Sequence, residues 1–108
     1  MSDENQILIP ASFTALFVPR GRQRPSESRA FIAARHDLCE DMAQMLTEPA
    51  RTTLFALGLT EELVLERMHR GLRADDTTLS AAEAGWVTQR LAELLGWPAP
   101  PVAEDGET

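Results

Sequence analysis

The chain has no lysine, no tyrosine, a single cysteine and no continuous apolar run, and each shortage removes a class of function. Phosphate loops need a glycine-rich cradle followed by lysine, so the missing lysine and six isolated glycines exclude a P-loop ATPase. One cysteine, Cys39, leaves no internal disulfide and suits a reducing cytoplasm. No stretch approaches the ~18 apolar residues of a membrane span, and the opening Met-Ser-Asp-Glu-Asn lacks the positive region of a signal peptide. No serine sits in a Gly-x-Ser-x-Gly elbow. Strand alternation is equally scarce, with Gln6-Ile-Leu-Ile9 as its one short candidate.

What is present describes one acidic domain. Its 108 residues fit a single unit, and 44% hydrophobic with 25% charged residues is ordinary globular composition. All basic side chains are arginine, and 17 acids against 10 bases give a net charge of -7. That balance opposes general affinity for nucleic acid or an anionic membrane. Residues 1–6 are polar, and residues 98–108 combine prolines and acids with little apolar area, so a flexible start and a disordered tail are expected around a folded part over 7–97.

The punctuation within 7–97 is helical. Pro10 opens a short helix whose Phe13, Leu16 and Phe17 share a face, and Pro19 ends it. Ser26 or Ser28 caps a longer amphipathic helix with Phe31, Ala34, Leu38, Met42 and Met45 inward and Arg35, Asp37, Glu40, Asp41 and Gln44 outward. Pro49 is expected to end it and start a separate short helix capped by Thr47, which stops at Gly58. Thr60 caps a further helix bearing Val64, Leu65, Met68 and Leu72. Ser80-Ala-Ala-Glu83 is a capping box before Val87, Leu91, Leu94 and Leu95, with Gly96 as the stop and Trp97 folding back. The expected fold is all-α, a single small bundle of four to five helices. Its core also takes in Phe13, Phe17, Phe31, Ala34, Leu38, Met42, Met45, Leu54 and Leu57.

Candidate chemistry is sparse. His36, Cys39 and Glu40 are spaced to meet on one helix face, as are Glu66 and His69, but a carboxylate metal bundle needs more ligands than these. The plainer reading makes Cys39 a half-buried filler and both histidines surface residues. No catalytic residue, metal or cofactor is expected.

Charge is segregated along the chain. Arg20 to His36 carries a local +4, and Asp37 to Glu48 a local -4. The simpler account pairs the arginines of the Pro19–Pro25 loop with the acids of the next helix. The other leaves Arg20, Arg22 and Arg24 as guanidinium forks for a carboxylate or phosphate on a partner.

Leu57-Gly-Leu-Thr60, with Val64, Met68 and Arg70, resembles the turn and second helix of a helix-turn-helix, in particular region 4 of sigma factors. That resemblance implies DNA binding through residues 50–72, with Arg67, Arg70 and Arg73 at phosphates. Leu54 stands where the motif has a small residue, and Glu61, Glu62 and Glu66 would repel phosphate.

Across residues 7–97, Ile9-Pro-Ala-Ser-Phe13, Leu16-Phe17, Cys39-Glu-Asp41 with Ala43, His69-Arg-Gly-Leu72 and Arg90-Leu-Ala-Glu-Leu-Leu95 with Trp97 resemble a group of small uncharacterised bacterial proteins. Some of these carry the automatic label "ATPase with chaperone activity". The resemblance implies a chaperone-associated adaptor role and supplies no catalytic residue. The expectation is therefore a non-catalytic protein-interaction module with an unidentified protein partner, and DNA binding is the alternative. Ile7-Leu-Ile9 and Trp86 have no obvious internal partner, which leaves a homodimer open.

Overall fold

A computed structural model describes residues 8–99. It contains α1 (Ala11–Thr14), a 3-10 turn (Ala15–Phe17), α2 (Arg29–Leu57), α3 (Glu61–Ala74) and α4 (Ala81–Leu95), with no strand among the described residues. The chain is an all-α bundle in which α4 packs against both α2 and α3. Most of the two expected flexible ends, residues 1–6 and all but Pro98 and Ala99 of the tail, lie outside the described residues.

Side-chain caps start the three long helices. Ser28 Oγ accepts the Phe31 N–H at 3.1 Å, and Thr60 Oγ1 accepts the Leu63 N–H at 3.1 Å. At Ser80 the box closes both ways, with Glu83 N–H on Ser80 Oγ at 3.0 Å and Ser80 N–H on Glu83 Oε1 at 2.9 Å. Gly96 ends α4 in the left-handed region at φ 73°, and the Trp97 N–H reaches back to the Ala92 carbonyl at 3.0 Å.

Pro49 does not end the second helix. α2 runs unbroken through it for 29 residues, so the two expected helices are one. Proline removes one donor and crowds the carbonyl four residues back, yet its own position is exposed, where water can solvate that carbonyl. The next residue round the helix, Ala50, is fully buried against Val64, Leu65, Leu91 and Ala92. Leu46 before the proline and Leu54 after it pack on the same cluster, which holds the helix on both sides of it. Thr47 is accordingly no cap, and its hydroxyl donates to the Gln44 carbonyl at 2.9 Å within the helix.

The buried face of α2 also differs from the expected one. Ile32, His36, Cys39, Ala43 and Ala50 point inward, whereas Phe31, Ala34 and Met45 are exposed. Leu57 is exposed too, at the last turn of the helix. Small side chains at Cys39, Ala43 and Ala50, opposite Ala84 and Ala92 of α4, let helices approach closely, and contact favours the small face over the bulky one. The core has two clusters: Phe13, Ile32, Cys39, Ala43, Leu72, Leu79, Ala84 and Val87 form one, and Ala50, Val64, Leu65, Leu91 and Ala92 the other. Leu46 packs against both.

Cys39 is fully buried rather than half-buried, and burial pushes its thiol up to about 12 from the usual 9.0. A thiol-reactive dye should therefore label the native chain only as fast as it unfolds. Rapid stoichiometric labelling under native conditions would contradict this burial. Because the folded value is raised, Cys39 supports the fold fully below pH 9.0 and loses that support as pH climbs toward about 12.

Candidate functional site

The loop before α2 is built by backbone rather than by side-chain packing. The Phe17 carbonyl accepts both the Ser26 N–H, at 2.8 Å, and the Ser26 hydroxyl, at 3.2 Å, which closes the neck of the loop. Inside it, the Arg22 N–H bonds the Pro19 carbonyl at 3.0 Å across a turn whose third residue, Gly21, has φ 76°. That conformation needs glycine. Ser26 thus closes the loop while Ser28 caps the helix, so each of the two candidate serines has a separate task.

Arg20, Arg22 and Arg24 all project into solvent, and none makes a side-chain hydrogen bond or ion pair among the described residues. The simpler account, in which these arginines pair with the acids of α2, does not hold. The acids that are paired take other arginines. Arg35 forks onto Glu83 at 2.8 and 2.6 Å and also reaches the Thr78 carbonyl. Arg90 forks onto Glu40 at 2.9 and 3.1 Å, tying α4 to α2, and bonds Glu93. Hydrogen bonds from Arg90 hold the Glu40 carboxyl below its usual range. At Glu83, burial alone would raise the carboxyl, but Arg35 and Ser80 outweigh it and hold it low. These forks are positioned by helices, and the loop arginines are left over.

The other candidates separate in space. His36 is buried rather than at the surface, at 8% exposure, edge-on to Phe13 at 5.3 Å and Trp86 at 5.5 Å. Its Nδ1 has no hydrogen-bond partner among the described residues. Cys39 faces the core, while Glu40 leaves the helix face for Arg90, so the three do not converge. No group of three or more histidine, cysteine or acidic side chains among the described residues could hold a metal. Trp86 does have internal partners: its ring packs edge-on against Phe13 at 5.0 Å and its Nε1–H donates to Ser12 Oγ at 3.0 Å. Ile9 also packs on the first cluster, while Ile7 lies outside the described residues.

On the helix-turn-helix-like segment, Arg67, Arg70 and Arg73 are exposed on α3. Arg70 is bridged to Glu66 at 3.3 Å, and a shallow open depression of about 460 Å³ runs past Glu66, His69, Arg70, Arg73 and Ala74. Burial, with Arg73 adding to it, lowers the His69 imidazole. The first turns of α3 expose Glu62, Leu63 and Glu66, which presents acid where a recognition helix would meet bases. Among the described residues no helix is long and apolar enough to cross a membrane. The chain matches no protein-family model, no curated protein and no solved structure.

Sequence reasoning missed the two forks, Arg35–Glu83 and Arg90–Glu40. Each spans nearly half the chain, and no local pattern signals such a pairing.

Proposed function

We propose that the chain is a non-catalytic protein-interaction module that takes carboxylates of a protein partner on Arg20, Arg22 and Arg24. The observation that carries this reading is the contrast among arginines. Those that stabilise the fold are forked onto buried or half-buried acids, whereas these three make no ion pair among the described residues and stand on a loop whose neck is tied by backbone. Guanidinium groups are strong bidentate donors to carboxylate, and a loop closed at its base spends less entropy when a partner binds. On a chain whose net charge is -7 with these three arginines included, a locally basic loop is a specific address for an acidic segment. An adaptor working beside a chaperone fits this reading and the resemblance to the small bacterial proteins. A lone buried thiol suits a cytoplasmic setting.

The test is capture from cell lysate at low salt with the full chain as bait. The chain should retain a protein, and replacing Arg20, Arg22 and Arg24 together by alanine should lose it while the thermal transition stays unchanged. Retention of every partner by the triple variant would reduce the loop to a connector. A signal that disappears with nuclease, and that depends on Arg67, Arg70 and Arg73, would favour DNA binding through residues 50–72 instead.

A further inference from the structure

α2 carries more apolar surface than its own bundle covers. Phe31, Ala34, Leu38, Met42, Met45 and Pro49 recur at helical spacing along one flank of the helix, with Asp41 between Leu38 and Met45 at its outer edge and Glu48 one turn beyond Met45. Leu38 and Met42 are half-buried at the edge of the first cluster, while Ala34 and Pro49 are exposed. Phe31 is 45% exposed and Met45 67% exposed. With 29 residues at 1.5 Å each, α2 offers a flank about 40 Å long, and the stripe follows most of it. At its N-terminal end the Phe31 ring lies 6.1 Å from that of Phe17, so the stripe starts from a fixed aromatic contact.

The charges beside the stripe select its occupant. Asp37 and Asp41 are exposed on the outer border and make no ion pair among the described residues, and Glu48, in line with the stripe one turn beyond Met45, has only a 3.4 Å contact to Arg51. Two copies of α2 meeting antiparallel through this stripe would set each acidic border against its own counterpart, and each chain already carries a net charge of -7. A partner whose flanking residues are basic meets no such repulsion. We infer that the exposed flank of α2 is a docking face for a basic amphipathic helix, whose apolar side lies along Ala34, Met42 and Met45 and whose cations meet Asp37, Asp41 and Glu48. This face is separate from the loop arginines, and neither reading depends on the other.

The probe is a synthetic amphipathic peptide with leucines at helical spacing and lysines on its polar side, titrated into the full chain. Its counterpart carries glutamate in place of lysine. The lysine peptide should bind saturably and become helical, and the glutamate peptide should not bind. The paired substitution Ala34→Gln with Met45→Gln changes two exposed positions without altering charge, and it should weaken binding by about tenfold or more. Neutralising the border with D37N, D41N and E48Q should weaken it similarly, whereas the triple alanine variant of Arg20, Arg22 and Arg24 should bind as the native chain does. Equal binding of both peptides, or native affinity in the A34Q/M45Q variant, would overturn the inference. So would a concentration-dependent dimer in sedimentation that A34Q/M45Q abolishes, because the stripe would then be an interface between copies.

Discussion

Replacing Glu83 by alanine is expected to cost the fold about 3 kcal/mol, a large share of the roughly 5–15 kcal/mol available to a small domain. The carboxylate is 4% exposed and serves two structures at once. Its Oε1 accepts the Ser80 N–H as half of the capping box, and both oxygens accept the Arg35 fork from α2. Alanine removes the reciprocal cap and leaves Arg35 without its partner between α2 and α4. Glutamine keeps one acceptor oxygen, so E83Q should fall between alanine and the native chain. Equilibrium urea unfolding of the three proteins measures this directly. A loss under about 1 kcal/mol for alanine would mean the pair is solvated like an ordinary surface bridge.

Acid should expose the same interaction. The Glu83 and Glu40 carboxyls are both held below their ordinary 4.5 in the folded chain. A depressed folded value supports the fold above the unfolded pKa and loses that support as pH falls through the folded one. Native stability should therefore drop below pH 4.5, and E83A should show a shallower drop because one of the two groups is gone.

The helix ends were legible because their signals are local. Ser80 and Glu83 find each other three residues apart, Thr60 reaches one turn ahead, and Gly58 and Gly96 adopt the left-handed geometry that a helix stop requires. The inner face of α2 was not legible, because two neighbouring arcs of that helix are apolar. The bulky arc, Phe31, Leu38, Met42 and Met45, carries the stronger periodic signal, and the arc of Ile32, Cys39, Ala43 and Ala50 makes the contact. Hydrophobicity alone cannot choose between them, since the choice depends on the small residues Ala84 and Ala92 of a distant helix. His36 falls on the buried arc for the same reason, although its polarity reads as surface. For the candidate site, the loop arginines were visible as a charge cluster between prolines. That they have no partner among the described residues could emerge only once Arg35 and Arg90 had claimed Glu83 and Glu40 across the fold.

Pro49 supplies the second large effect, with the opposite sign. Substitution by alanine should stabilise the chain by about 2 kcal/mol, because proline inside a helix is ~3 kcal/mol less favourable than alanine and the stiffer unfolded chain offsets at most ~1 kcal/mol of that. The site meets the conditions for a full gain. It lies in the interior of α2, its side chain is exposed, and its neighbour Ala50 is already fixed in the second cluster. Alanine supplies the missing donor to the Met45 carbonyl and adds no bulk to the core. The urea midpoint should rise with an unchanged slope, since the area exposed on unfolding is nearly the same. An unchanged or lower midpoint would show that α2 bends at this position in a way the bundle needs, so that straightening the helix strains Leu46 and Leu54 on either side. The same variant bears on the docking face. Pro49 lies in the exposed stripe, so P49A should retain affinity for the lysine peptide, because the apolar area lost is small beside that of Phe31, Met42 and Met45. A more stable chain that no longer binds would mean that the stripe needs the proline's local distortion as well as its apolar surface.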